Sequence, residues 1–106
     1  MWRISIVFLV LLLLFSCSKE NKHSVRVHNS YGRRANNVRL NNDIKFGNLE
    51  FEEYSNSVIV DGGEYILKAT IDGLPRESDP ITIEGDGEHN WKIVILKPTQ
   101  IYILEE

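Results

Sequence analysis

Apolar and polar residues alternate with a period of two along most of this chain from Ser24 onward. The clearest run places Tyr65, Leu67, Ala69 and Ile71 at every second position. A period of two puts one face of a β-strand against a core, whereas an amphipathic helix needs a period near 3.6. No segment from Ser24 onward shows the helical period, so the pattern predicts an all-β fold.

Turn-forming residues divide the alternating runs into about seven short strands, spaced about ten residues apart. The predicted strands lie near residues 24–28, 37–40, 44–46, 54–60, 64–71, 81–83 and 91–96, with residues 101–104 as an edge strand that finishes the sheet. Residues 74–80 contain two prolines and are predicted to be a polar connection. Short strands with a turn at nearly every break are typical of an antiparallel β-sandwich.

One turn in this pattern has a recognisable spacing. Asp61, Gly63, Tyr65 and Leu67 are spaced as in the corner of immunoglobulin-like domains, where a tyrosine hydroxyl bonds back to a nearby backbone group. Leu67 stands where antibody domains have cysteine, so the corner would belong to a disulfide-free relative. The alternative is a glycine-rich turn followed by an ordinary buried tyrosine.

A wider pattern runs through residues 24–71. It comprises Val-Arg-Val at 25–27, Val-x-x-Asn starting at Val38, Phe46-Gly47, and Gly-x-Tyr-x-Leu starting at Gly63. In this order the segments resemble immunoglobulin-like domains of unknown function in bacterial lipoproteins. The resemblance implies an immunoglobulin-like sandwich and an exported setting. It supplies no active residues.

The first 17 residues have the features of an export signal. Arg3 supplies a positive charge, residues 4–15 are apolar except for Ser5, and small Ser16 precedes Cys17, the single cysteine. A membrane-spanning helix is the alternative, but it needs about 20 apolar residues, so the short run favours a cleaved signal peptide. The predicted organisation is a signal peptide at 1–16, a polar tether at 17–23 and a β-sandwich domain at 24–106.

Leu14, Phe15, Ser16 and Cys17 resemble the lipobox of bacterial lipoproteins. The resemblance implies cleavage between Ser16 and Cys17 and fatty acylation of Cys17, with palmitate as one expected chain. Ser18 stands where an inner-membrane retention signal would place aspartate, which favours the outer membrane over the inner. The alternative is a lone cysteine that merely ends a signal peptide, although an unpaired exported thiol is open to oxidation.

Charge limits the partners of the mature chain. Residues 17–106 hold 11 of the 12 Lys and Arg residues and all 15 Asp and Glu residues, so their net charge is −4. This balance argues against nucleic acid, which requires a positive surface. Without a second cysteine the domain has no internal disulfide, so its stability depends on the apolar core.

The polar residues form no recognisable reaction centre. His23, His28 and His89 lack the close spacing of zinc ligands, and the acidic turn at residues 84–88 lacks the ligand ladder of a calcium loop. The remaining candidates are carboxylates and hydroxyls without a catalytic context, namely Glu50, Glu52, Glu53, Ser55, Ser57 and Ser78. We therefore expect no catalytic residues, no metal, no cofactor and no small-molecule substrate.

The sequence predicts a non-catalytic module. The leading hypothesis is a lipid-anchored binding or structural domain that uses its end loops or sheet edges. The alternatives are an accessory subunit that pairs an exposed edge strand with an envelope protein, and a metal-binding sensor. Trp91 is expected in the core, and Tyr31 and Tyr102 are expected to be exposed aromatic contacts.

Overall fold

The computed structural model describes residues 21–106, and this part of the chain is all-β without a helix. Its ten strands follow the alternation of the sequence. They are β1 (Lys22–Asn29), β2 (Ala35–Leu40), β3 (Ile44–Leu49), β4 (Val58–Val60), β5 (Gly63–Tyr65), β6 (Leu67–Ile71), β7 (Leu74–Glu77), β8 (Ile81–Ile83), β9 (Glu88–Lys97) and β10 (Gln100–Glu105). The signal peptide, its cleavage site and Cys17 lie outside the described residues.

Two four-stranded sheets carry most of these strands. The first has the order β10-β9-β1-β4, and the second has the order β3-β2-β6-β7. Strands β5 and β8 form a separate antiparallel pair. In the first sheet β1 runs parallel to β9, while β4 and β10 are antiparallel to their neighbours.

One apolar core joins both sheets and the β5–β8 pair. The first sheet contributes Val25, Val27, Ile93 and Ile95, the second contributes Val38, Leu40, Leu67, Ala69 and Ile71, and β8 contributes Ile81 and Ile83. All of these side chains are at most 5% exposed. Burying one such Val, Leu or Ile side chain contributes roughly 1.5–3 kcal/mol. This arrangement is sandwich-like.

The parallel pairing of β1 with β9 corrects the prediction of a purely antiparallel architecture. The pairing joins residues 22–29 with residues 88–95, so it depends on the path of the whole chain between them. Alternation fixes which face of a strand is buried, but it does not fix the direction of a distant neighbour. The number of strands, ten rather than about seven, also differs from the prediction.

Three predicted segments have different bounds. Residues 64–71 form two strands in different sheets. Of the predicted 54–60 strand, Val58–Val60 form β4, and Tyr54 makes an isolated bridge to His28. Residues 74–77, predicted to be a connection, form the edge strand β7 with Pro75 inside it. An edge strand tolerates proline because one side of its backbone has no ladder to break.

Asn41 explains why the chain changes sheet between β5 and β6. Its side-chain oxygen accepts a hydrogen bond from the Ile66 N–H at 3.0 Å, and its own N–H donates to the Ile66 carbonyl at 2.8 Å. Asn41 has φ +53, a left-handed geometry that asparagine tolerates better than most residues. The turn after β2 therefore satisfies the backbone of the residue at which the chain leaves one sheet for the other.

Candidate functional site

Parallel pairing of β1 with β9 assembles an aromatic cluster at one end of the first sheet. The pairing sets His23 opposite His89, and Trp91 lies two residues farther along β9. The two imidazole rings stack with centroids 5.5 Å apart and planes 11° apart, and the His89 and Trp91 centroids are 5.7 Å apart. We call His23, His89 and Trp91 the histidine–tryptophan cluster.

His23 is the buried member of the cluster. Only 1% of its surface is exposed, so it belongs to the folded domain rather than to the predicted tether. The Trp91 Nε1–H donates to His23 Nδ1 at 3.1 Å. Because Nδ1 accepts this bond, the ring proton is assigned to Nε2, which lies on the side of Gly62.

Hydrogen-bond acceptors face both ring nitrogens of His89. Its Nδ1 donates to the Glu105 carboxylate at 2.9 Å, and its Nε2 donates to the Asp86 carbonyl at 2.7 Å. Both bonds favour the imidazolium form, and the pKa of His89 is raised, first by the bond to Glu105 and then by the bond to Asp86. A Cβ at Gly85 would lie 2.9 Å from His89 Nε2, so glycine permits this close approach.

We expect the domain to become less stable at alkaline pH, because His89 then loses the proton that its two hydrogen bonds favour. A raised pKa stabilises the fold below about pH 6.5, and this contribution is lost as the pH rises through the higher folded-state value. Denaturant midpoints measured from about pH 6 to about pH 9 should therefore fall for the native chain. Glu105→Gln should flatten this slope, and an equal slope in both proteins would contradict the assignment.

A cavity of about 270 Å³ opens beside the cluster. Its wall includes the buried His23, the glycines Gly62 and Gly85, and the acidic residues Glu84 and Asp86. Both acidic residues belong to the turn at residues 84–88, which lacks the ligand ladder of a calcium loop. Within residues 21–106, no group of three or more His, Cys, Asp or Glu side chains is arranged to hold a metal ion.

Tyr65 makes the backward hydrogen bond expected of a corner. Its hydroxyl donates to the Asp61 carbonyl at 2.6 Å, and its half-buried ring packs against the core. Burial raises the pKa of this hydroxyl, with smaller contributions from the charges of Asp61 and Asp43. Gly63 has φ +159 and pairs with Ile83 at the start of β5.

The other histidine lies at a separate place. His28 alternates with the buried valines of β1, and its ring stacks on Tyr54 with centroids 4.1 Å apart. The Arg26 guanidinium carbon lies 4.4 Å from the centroid of the same Tyr54 ring, and His28 Nε2 lies 3.3 Å from a Glu52 oxygen. The three histidines therefore do not converge on one point.

Two of the three predicted serine candidates, Ser55 and Ser78, make hydrogen bonds that hold the backbone in place. The Ser55 hydroxyl accepts from the Val27 N–H and donates to the Asn56 carbonyl. The Ser78 hydroxyl does the same between the Leu67 N–H and the Asp79 carbonyl.

The structure also gives the contacts or the exposure of several acidic and aromatic candidates. Glu50 pairs with Arg34 at 2.6 Å, and Glu53 accepts a bond from the Glu50 N–H at 2.9 Å. Tyr31, predicted to be exposed, is half-buried because it packs on the core and donates to Asp72 at 2.7 Å. Tyr102 is 39% exposed, as predicted.

Comparison with known proteins identifies no family for this chain. No family model matches it, and no curated protein matches its sequence. The NMR structure of a protein from Eubacterium rectale aligns with a TM-score of 0.47 and 11% sequence identity, over 79% of this chain and 87% of that one. Residues 21–106 contain no helix of the length and apolarity needed to cross a membrane.

Proposed function

We propose that this protein is a lipid-anchored, non-catalytic binding module of the bacterial envelope, and that it pairs with a protein partner along the edge of β10. The proposal rests on one observation: β10 is an edge strand whose outer backbone groups have no neighbouring strand within residues 21–106 and which contains neither lysine nor proline. An exposed strand can accept an extended segment of another protein through main-chain hydrogen bonds. An immunoglobulin-like sandwich, proposed from the corner at Tyr65 and the pattern of residues 24–71, commonly presents such edges.

The backbone of β10 has one side available for pairing. The Glu106 N–H donates to the Asn90 carbonyl at 2.8 Å, which fixes the alternation of the β9–β10 ladder. In an antiparallel ladder, residues one position away direct their N–H and C=O groups to the opposite side. Ile101, Ile103 and Glu105 therefore direct their backbone groups away from β9, toward the free edge.

The other three edges of the two four-stranded sheets carry features that disfavour pairing. Strand β4 has only three residues, β7 contains Pro75, and β3 contains Lys45 and Gly47, the latter with φ +88. Short length, proline, lysine and irregular backbone are the means by which proteins protect edges. Strand β10 contains neither lysine nor proline, and its register shift is confined to its first step, between Gln100 and Ile101.

Side chains beside this edge suit a protein partner. Tyr102 is 39% exposed and Leu104 is 41% exposed, and both belong to β10. Apolar and aromatic side chains next to free backbone groups supply the contacts that make strand addition specific. The net charge of −4 for residues 17–106 disfavours nucleic acid as the alternative partner.

We expect Leu104→Lys to abolish pairing at this edge while leaving the fold intact. A lysine there adds charge to the pairing surface, and loss of the partner strand should weaken binding at least about tenfold. The matched control is Leu74→Lys, which changes a leucine that is 53% exposed on β7 of the other sheet. The measurement is the size of the complex extracted from native membranes in mild detergent, by sedimentation.

The expected result is a complex for the native chain and for Leu74→Lys, and a monomer for Leu104→Lys. Equal complexes for both variants would exclude the β10 edge as the binding surface. A monomer in all three samples would contradict the proposed function itself.

Cys17→Ser tests the proposed anchor. Because the thiol of Cys17 is the proposed acceptor of the lipid, its loss should remove fatty-acid labelling and leave the leader uncut. The assay compares incorporation of radiolabelled palmitate into the native and variant proteins in growing cells. Ser18→Ala is the matched control and should be labelled like the native chain. Equal labelling of Cys17→Ser and the native protein would refute lipidation.

A further inference from the structure

We propose that the domain lies against the phospholipid bilayer to which it is anchored, and that the outer face of its first sheet makes the contact. The inference rests on the lipid anchor at Cys17 in the proposed function, and it adds how the domain lies on the membrane. The outer face consists of the side chains of β10, β9, β1 and β4 that point away from the core. Because backbone hydrogen-bonding groups lie in the plane of a sheet, contact through this face leaves the free edge of β10 open.

A row of aromatic and apolar side chains crosses this outer face. His28 on β1 pairs with Val94 on β9, and Val94 pairs with Tyr102 on β10. Tyr54 extends the row beyond β1, where its ring stacks on His28 with centroids 4.1 Å apart. Val94 is only 5% exposed, yet it is not part of the core cluster between the sheets. The outer face therefore has an apolar row of its own.

Two further apolar side chains stand on the same face. Leu104 pairs with Lys92, and Ile59, which is 65% exposed, pairs with Ser24. Of the six large hydrophobic side chains that are exposed within residues 21–106, four belong to this face: Tyr54, Ile59, Tyr102 and Leu104. Exposed apolar side chains gathered on one surface mark an interaction site.

The outer face of the second sheet has the opposite character. Its strands pair polar residues with one another at outward positions, namely Arg39, Lys45, Lys68 and Glu77. An antiparallel sheet that packs on a core with one face commonly directs polar side chains to water with the other. The first sheet departs from this pattern, so covering its outer face removes apolar surface from water and is favourable.

The chain between the anchor and the fold is short, and it leads directly into the first sheet. Strand β1 begins at Lys22 and is an inner strand of that sheet. Five residue steps separate Cys17 from Lys22, and five steps span at most about 18 Å. A lipid on Cys17 therefore keeps the first sheet close to the bilayer. This proximity raises the effective concentration of the two surfaces, so a weak contact is enough.

The side chains of the face are the types found where a membrane meets water. Tyrosines and basic residues beside apolar side chains are typical of this interface. The Arg26 guanidinium carbon lies 4.4 Å from the centroid of the Tyr54 ring, and Lys92 Nζ lies 5.8 Å from the same centroid. Long basic side chains place their stems along apolar surface and their charges at the level of the lipid headgroups.

The charges of the face permit this contact. Its basic and acidic side chains are equal in number, with Lys22, Arg26 and Lys92 against Glu52, Glu88 and Glu106. Glu106 accepts a bond from Arg26 Nε at 2.8 Å, and Glu52 lies 3.3 Å from His28 Nε2. The face is therefore neutral, although residues 17–106 carry a net charge of −4, and an anionic bilayer does not repel it.

The test reconstitutes the full, lipidated chain into vesicles of phosphatidylethanolamine and phosphatidylglycerol. A nitrobenzoxadiazole dye is attached through Ile59→Cys in one sample, and through Lys45→Cys on the outer face of the second sheet in the other. Part of the lipid carries a nitroxide near the headgroup end of an acyl chain, which quenches a dye at the membrane interface. We expect this lipid to quench most of the fluorescence from position 59 and to leave position 45 unquenched.

A second substitution tests the apolar row. Tyr54→Asp in the Ile59→Cys chain places a carboxylate within the row and should remove most of the quenching at position 59. Leu74→Asp in the same chain is the matched control, because Leu74 is 53% exposed on β7 of the other sheet. It should leave the quenching unchanged. Thermal melts establish that both variants remain folded in the vesicles.

Several results would overturn the proposal. Quenching at position 45 and not at position 59 would assign the contact to the polar face of the second sheet. Equal quenching at both positions would show that the domain has no preferred face. Absence of quenching at both would leave the outer face of the first sheet to a protein partner. The native chain is the labelling blank, because Cys17 is its single cysteine. Dye attached to the native chain would contradict the anchor, and with it the proposed function, before any quenching is measured.

Discussion

Asn29→Ala is expected to lower the free energy of unfolding by roughly 3–5 kcal/mol, because it leaves three backbone groups without their partner, one of them buried and two part-buried. Asn29 is fully buried at the end of β1. Its Nδ2 donates to the Arg33 carbonyl at 2.8 Å and to the Leu49 carbonyl at 2.9 Å, and its Oδ1 accepts from the Tyr31 N–H at 3.0 Å. This one amide therefore connects the first sheet, the following loop and β3.

Urea denaturation of Asn29→Ala and Asn56→Ala provides the measurement. Asn56 is exposed, and its replacement removes the same atoms from the surface. Surface substitutions of this kind change stability by less than about 0.5 kcal/mol. For a domain with about 5 kcal/mol of stability, Asn29→Ala should leave most molecules unfolded. Similar midpoints for the two variants would show that the Asn29 contacts contribute little.

Tyr65→Ala is the second change with a large expected effect, roughly 2–4 kcal/mol, because it removes a core-packed ring and a hydrogen bond together. Tyr65→Phe should cost less, roughly 0.5–1.5 kcal/mol, since it keeps the ring and removes only the bond to the Asp61 carbonyl. The half-buried position of the ring places the expected loss for Tyr65→Ala below that of a fully buried aromatic residue.

Denaturant melts separate these two contributions. Tyr102→Ala serves as the control, since Tyr102 is 39% exposed and sits on an edge strand. The expected order of destabilisation is Tyr65→Ala, then Tyr65→Phe, then Tyr102→Ala. If Tyr65→Ala and Tyr102→Ala have the same midpoint, the Tyr65 ring contributes no more than a surface side chain.

The alternation of the sequence predicted the faces of the strands well. Leu67, Ala69 and Ile71 lie on one buried face of β6, and Val25 and Val27 lie on one buried face of β1. The strands predicted at residues 37–40 and 44–46 correspond to the paired β2 and β3, and the predicted edge strand corresponds to β10. These features are local, because a period of two and a turn are both set by neighbouring residues.

Features that depend on distant residues were not predictable in the same way. The parallel pairing of β1 with β9 joins segments more than sixty residues apart. The division of residues 64–71 into β5 and β6 depends on the amide of Asn41, which contacts Ile66 from another turn. The two prolines predict a connection at residues 74–80, whereas Pro75 lies inside β7, where an edge position accommodates it.

The sequence did not predict the histidine–tryptophan cluster, because buried polar residues do not follow the apolar pattern. The buried face of β1 reads His23, Val25, Val27, Asn29, so the same alternation extends one step beyond the valines in each direction. The predicted bounds include His23 in the tether and end the first strand at residue 28, before Asn29. Each is buried because it has hydrogen-bond partners from elsewhere in the fold, and sequence spacing does not reveal those partners.

Site-specific photo-crosslinking in native membranes tests the central claim, a protein partner at the edge of β10, most directly. A photoreactive residue is placed at Leu104 in one sample and at the similarly exposed Leu74 of β7 in the other. The proposal predicts one discrete crosslinked protein from position 104 and none from position 74. Ile103→Pro removes a backbone N–H from the free edge of β10 and should reduce the amount of the crosslinked product. Equal products from both positions, or no product from position 104 while the protein is lipid-anchored, would contradict it.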